Sequence, residues 1–273
     1  MSDRDKKTIV DGSCLTDATC TNMVNLEKFF VNSTVHVALI ARYMHQFELV
    51  YTAPDKTRPV DVLDVGCNNG AAIRLYASQN FQTQRRRKIK YTGVDLSDKA
   101  LEDANANKPK SKIVESCDYL KHDITTPWPF PDNSFDVLWY TEAIEHVPED
   151  TAQYTLHEAI RVLRPGGIML LSTPAPFDPE KLVWPESHDH EFSREEMRAM
   201  IDAAGFERFD EYGLNTNWTY GRKRLRERNY AMFSMYETLR NRLGGTIART
   251  MIAALVPEVC DDLVHMCRKP DND

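Results

Sequence analysis

The chain has 273 residues, 42% of them hydrophobic and 27% charged, with a net charge of −7. Such a composition fits one large globular domain or a domain with a cap, and the acidic balance argues against broad nucleic-acid binding. Nowhere does the chain hold eighteen consecutive apolar residues, and Met1 to Thr8 is charged without an apolar signal core, so no transmembrane span and no membrane partner are expected. The six cysteines are scattered without paired metal spacing, the pattern of reduced thiols in a cytoplasmic protein.

In chain order, residues 1–25 are polar and punctuated, and are expected to be poorly ordered or wrapped on the surface. Leu26 to Tyr51 has helical spacing, with Phe29, Phe30, Val37, Ile40, Met44 and Phe47 available to one broad face. Ala53 to Pro59 breaks it. Strands are predicted at 60–65, 90–95, 113–118, 135–140 and 168–173, with helices at 70–79, 97–105 and 151–163 between them. That alternation predicts a parallel sheet with right-handed crossovers. Ser193 to Ala204 is a further helix, with Ser193 and Glu196 spaced as a capping box and Gly205 closing it. Phe206 to Tyr212 and Asp262 to Lys269 are candidates for the last two strands. Between them, 214–257 has helical composition and many aromatic and basic residues. Together with 26–51 it is the candidate lid and acceptor-binding region. Two basic clusters stand out. Arg85-Arg86-Arg87-Lys88 with Lys90 precedes the second strand and reads as a solvated loop at the far end of the sheet from any ligand. Arg222, Lys223, Arg224, Arg226 and Arg228 fall in the candidate lid, and their role stays open.

The densest signal is Val62-Leu63-Asp64-Val65-Gly66-Cys67-Asn68-Asn69-Gly70. A short apolar strand holds an acid, then glycines where backbone must approach a ligand closely. Tyr91-Thr92-Gly93-Val94-Asp95 repeats the strand-then-carboxylate pattern, and a carboxylate there can accept two hydrogen bonds from a ribose diol. The pair indicates a nucleoside-containing cofactor at the strand ends. The glycine spacing leaves no room for the three-glycine array of dinucleotide sites. Asp64 would repel a pyrophosphate and attract an amino group.

From about Pro59 to Pro174 the chain resembles the class I S-adenosylmethionine-dependent methyltransferases. Asp64 to Gly70 is similar to their motif I (Asp-x-Gly-x-Gly-x-Gly), with Asn68 in place of the middle glycine. Asparagine tolerates positive φ better than most residues, so the turn can survive. Asp95 matches the ribose-binding acid, and Lys121-His122-Asp123-Ile124 the segment whose Asp contacts the adenine amino group. Pro127 to Leu138 and Arg161 to Ser172 resemble the family's approaches to its fourth and fifth strands. The resemblance implies a doubly wound, seven-stranded, mostly parallel α/β sheet with the last strand antiparallel between the fifth and sixth. It implies S-adenosylmethionine as cofactor, lined by Asp64, Gly66, Cys67, Asn68, Gly70, Asp95, Leu96, Asp123, Ile124 and Thr141, with Trp128 at the adenine pocket. The implied division is a tail and helical cap over 1–58, the sheet domain over 59–213 and 258–270, and the helical insertion over 214–257.

Glu142-Ala143-Ile144-Glu145-His146 follows the fourth strand. If a helix starts there, Glu142, Glu145 and His146 share one face at i, i+3 and i+4. Ser187 to Arg194 adds His188 and His190. Three readings stand. His146 or Glu142 takes the acceptor's proton near neutral pH. Or Glu142, Glu145, His146 and His190 hold a divalent ion, as the partial resemblance to the small-RNA 3′-end 2′-O-methyltransferases implies. Or the segment merely lines the cofactor pocket. Trp184, Trp218 and Tyr220 are candidates for an acceptor pocket, and packing is as good an explanation for each. The expected activity is methyl transfer to an oxygen or nitrogen of a small molecule without a catalytic metal. The alternatives are metal-assisted methylation of an RNA end and a non-catalytic cofactor-binding protein.

Overall fold

The computed structural model describes residues 34–78, 87–174, 188–215, 218–260 and 262–271. Expectations about residues 1–33, Arg85, Arg86 and Trp184, and about the side chains of Trp218 and Tyr220, lie outside the described residues.

Seven strands form one sheet: β1 (Val60–Val65), β2 (Ile89–Asp95), β3 (Val114–Lys121), β4 (Phe135–Thr141), β5 (Leu163–Pro174), β6 (Glu207–Asn215) and β7 (Asp262–Arg268). Their order across the sheet is β3-β2-β1-β4-β5-β7-β6. The first five run parallel, and β7 pairs antiparallel with both β5 and β6. Among the described residues the helices are α1 (Thr34–Thr52), α2 (Ala71–Ser78), α3 (Asp98–Ala106), α4 (Glu149–Val162), α5 (Arg194–Ala203), α6 (Trp218–Arg228), α7 (Tyr230–Leu243) and α8 (Gly245–Leu255). The last three stand between β6 and β7, where the composition placed a helical insertion.

Strands β1, β4 and β5 read as near-continuous apolar runs because helices cover both faces of the sheet. Side-chain alternation divides them. Val60, Val62, Val137, Trp139 and Leu170 pack with Phe47 and Val50 of α1 and with Ile73 and Tyr76 of α2. Leu63, Val65, Leu138, Tyr140 and Leu171 face Leu156 and Ala159 of α4 and Met197 and Ile201 of α5. The insertion has its own small core of Leu225, Tyr236, Ala248, Ile252 and Val259.

The elements agree with the sequence reading except at particular ends. β3 continues to Lys121 rather than stopping at 118. It is an edge strand carrying Glu115, Asp118 and Lys121, so its apolar signal fades before its ladder does. β5 begins at Leu163, five residues early, and carries the Pro165-Gly166-Gly167 turn inside it, with a register shift against β4. The capping box of Ser193 and Glu196 is formed. The first basic cluster is not simply solvated. Arg87 donates to the carbonyls of Ala53, Asp55 and Arg58, clasping the chain before β1, while Lys88 pairs with Glu115 at 3.2 Å.

Candidate active site

The strand order reverses between β1 and β4, and the carboxyl ends of these strands open a crevice where ligands of doubly wound sheets bind. The turn after β1 lines it. The amides of Gly66 and Cys67 both donate to the Val94 carbonyl, at 2.9 and 3.0 Å, tying the turn to β2. Gly66, Asn68 and Gly70 all have positive φ, at 72°, 48° and 74°. Asn68 thus adopts the conformation for which asparagine is a tolerable substitute for glycine. A Cβ on Gly66 would lie 2.7 Å from the Cβ of Ala143, which only glycine avoids. Gly93 is a requirement that sequence reading missed. A Cβ there would lie 2.7 Å from Cys67 Sγ, so its absence lets β2 pass beneath the turn.

Both strand-end carboxylates are in place. Asp95 accepts the Asn68 amide at 2.8 Å on one oxygen and the Ser97 amide at 2.9 Å on the other. Each oxygen keeps acceptor capacity, which suits a diol. Leu96 beside it is 63% exposed. Asp64 is 3% exposed and accepts the Tyr91 phenol at 2.6 Å. Burial pushes its carboxyl up to about 7 against that hydrogen bond; the Asp95 charge adds to the rise and Arg42 opposes it. A buried acid so poised is suited to a ligand that brings a cation. The cradle, the diol acceptor and the cation-seeking acid together fit the ribose and amino groups of S-adenosylmethionine.

Other expected contacts sit differently. Asp123 is exposed and uses its carboxylate on the Thr125 amide and hydroxyl, at 3.0 and 2.7 Å, which hold it below its ordinary range. Ile124 and Thr141 are half-buried. Trp128 is only 4% exposed and packs in the core, its indole donating to the Ile124 carbonyl at 3.0 Å. Cys67 is buried, and burial followed by the Asp64 charge raises its thiol well above the ordinary value.

The Glu142–His146 segment corrects the helix-face expectation. No α-helix begins there: Glu142 has φ of 50°, and only Ile144–His146 forms a single 3-10 turn. Pro148 then precedes α4. Glu142 and Glu145 therefore do not share a helix face, though their carboxylates stay close enough to feel each other's charge. The Glu142 carboxylate meets the Arg42 guanidinium at 2.9 Å and accepts the Ser172 hydroxyl at 2.7 Å. Arg42, buried on α1, was not foreseen; its only trace is that it is the sole arginine or lysine of that helix. Glu145 is buried, accepts the Thr173 hydroxyl at 3.2 Å, and is pushed well up by burial and then by Glu142. His146 is exposed, its ring 4.9 Å from that of His188. His188 in turn lies 2.8 Å from Glu191.

The metal quartet is corrected as well. Glu145, His146 and His188 bring one ligand atom each within 4.8 Å of one another. His190 instead lies 3.6 Å from Glu149 and 3.9 Å from Glu196, with its ring on Phe192. The Glu145 carbonyl receives the amides of both Asp189 and His190, which pins the loop so that His188 faces His146. Two histidines spaced by one residue were visible in the sequence; which one turns inward was not.

Residues 63–171 match the family model described as a methyltransferase domain. The match runs from β1 into β5, the part of the sheet whose strand ends form the crevice. Similar proteins include a 27-O-demethylrifamycin SV methyltransferase of Amycolatopsis mediterranei, 34% identical over 40% of this chain and 37% of its own. A ubiquinone biosynthesis O-methyltransferase of Psychrobacter arcticus is 30% identical over 41% of this chain and 40% of its own. The chain spans between 37 and 54% of the length of the first curated relatives it matches. Among solved structures, the [4+2]-cyclase SpnF superposes with a TM-score of 0.55 at 22% identity, covering 82% of this chain and 80% of that one. A SAM-dependent methyltransferase from Archaeoglobus fulgidus gives 0.52 at 16% identity, covering 90% and 99%. These likenesses concern the fold. That a cyclase is among them illustrates why chemistry must be argued from the methyltransferase domain's own residues.

Proposed function

We propose that the protein is an S-adenosylmethionine-dependent methyltransferase acting on an oxygen or nitrogen of a small-molecule acceptor. The observation that carries this is the pair of strand-end carboxylates around the motif-I turn: buried Asp64 titrating near neutrality, and Asp95 held by the Asn68 and Ser97 amides. The bound cofactor supplies a methyl already activated by a positive sulfur. The chain's part is to orient the acceptor, exclude water and, where needed, accept its proton. His146, exposed beside the carboxyl ends of β4 and β5, is the proposed base or orienting group. Glu142 is proposed to position it and the acceptor, its carboxylate fixed by Arg42 and Ser172. The names of the rifamycin and ubiquinone relatives point to oxygen acceptors, which favours oxygen as the acceptor atom here. The four cysteines among the described residues are free, which supports a reducing, cytoplasmic setting. No described helix is long and apolar enough to cross a membrane.

We further propose that α1 and the 218–255 helices close over the acceptor, making the division into cap, sheet domain and insertion a functional one. The Glu145–His146–His188 cluster favours a second reading, metal-assisted transfer to an RNA end. Turnover of methyl-labelled cofactor against separate metabolite and RNA pools, with and without chelator, tests both. Label in small molecules that persists with chelator supports the first reading. Label confined to RNA and lost with chelator supports the second. Cofactor binding without any transfer would leave a binding protein.

A further inference from the structure

The α6–α8 insertion, proposed above to cover the acceptor, also carries an exposed apolar surface of its own. On α8, Ile247, Met251, Ala254 and Leu255 are exposed at i, i+4, i+7 and i+8, a single apolar stripe. The opposite side of the same helix is already satisfied: Ala248 and Ile252 are buried against α6 and α7, and Ala253 against Cys260 and Leu263. On the neighbouring helix α7, Leu243 at its end is 48% exposed and Tyr230 at its start is 71% exposed. Exposed aliphatic side chains so ordered on one helix are the pattern of an occupied face rather than of scattered surface residues.

Charge identifies the occupant. Residues 218–255 contain eight basic side chains against two acidic ones, in a chain whose net charge is −7. Arg222, Lys223 and Arg226 line a cleft of about 510 Å³ with Glu227 and Phe233. The other acid, Glu237, is already engaged by Arg222 at 2.9 Å and Arg240 at 2.7 Å. We propose that the α6–α8 unit docks on an anionic lipid bilayer, with the α8 stripe in the headgroup–acyl boundary and the arginines of α6 and α7 at lipid phosphates. A second copy of this chain fits less well, because two copies of so basic a unit repel. A nucleic acid would use the basic residues but gains nothing from Ile247, Met251 and Leu255, which offer neither hydrogen bonds nor stacking. A bilayer uses both, and attachment through one short amphipathic helix with basic neighbours is peripheral and reversible.

The test is flotation of the full chain with vesicles of phosphatidylglycerol mixed into phosphatidylcholine, beside vesicles of phosphatidylcholine alone. Binding to the anionic vesicles should exceed that to neutral ones by about tenfold or more and weaken with added salt. Replacing the exposed pair, Met251→Gln with Leu255→Gln, should cut it by about tenfold, with the melting temperature little changed because neither side chain is in the core. Lys223→Gln with Arg226→Gln should lower binding to anionic vesicles and not to neutral ones. Absence of vesicle binding, or binding indifferent to both double variants, overturns the proposal. So does binding of a single-stranded RNA oligomer that is lost with the basic pair but kept with the α8 pair; that result would assign the surface to nucleic acid.

Discussion

Asp64 offers the sharpest quantitative test. Its carboxyl stands at about 7 instead of its ordinary 3.8 because it is buried. Between those values the folded protein holds a proton that the unfolded chain has released. The stability of the cofactor-free protein should therefore fall as pH rises from about 4 to about 7, with the loss complete above that. At about 1.36 kcal/mol per pH unit, the part lost between about pH 5 and about pH 8 is roughly 2–3 kcal/mol. Asp64→Asn keeps the shape and still accepts the Tyr91 phenol, and it does not titrate. Its buried amide adds a constant penalty of about 1–3 kcal/mol, so the slope and not the offset is the readout. Urea unfolding of both cofactor-free proteins at the two pH values should show the variant gaining on the wild type by that 2–3 kcal/mol as pH rises. Cofactor binding should respond with the opposite sign: wild-type affinity for S-adenosylmethionine rises with pH through about 7, and the variant binds weakly with no such rise. Parallel pH profiles of stability in the two proteins would refute the argument that Asp64 is a neutral acid awaiting a cation.

Asp95→Ala removes a charged hydrogen-bond acceptor worth ~1.5–3 kcal/mol, so calorimetry should find the cofactor bound at least about tenfold more weakly; unchanged affinity would separate Asp95 from the ribose. Gly66→Ala places a side chain at φ of 72° and 2.7 Å from Ala143 Cβ, and should lower stability by about 1–3 kcal/mol in thermal unfolding. Exchange protection in α1 and in α6–α8 should rise on adding cofactor and acceptor if they form a lid; equal protection with and without them marks scaffold. Activity should survive chelator and fall in His146→Ala. Loss with chelator and recovery with magnesium or manganese would instead give Glu145, His146 and His188 to a metal.

Much of the sheet could be read directly from the sequence, because central strands covered on both faces must be apolar throughout and because turns of positive φ admit few residues. Val62 to Gly70 and Tyr91 to Asp95 carried the fold and the cofactor crevice for that reason. Asn68 held its glycine-like place, and β7 ran antiparallel as the resemblance implied. What tertiary structure alone decided was how separate segments meet. Whether Glu142 opens a helix depended on the bend at its φ of 50° and on Arg42 arriving from α1, a hundred residues earlier. The choice of His188 over His190 rested on two amides caught by the Glu145 carbonyl. Trp128 looked like a pocket residue and was taken into the core. Local sequence specifies backbone conformation and burial through near neighbours, whereas the direction of a side chain at a loop depends on contacts whose partners lie far along the chain.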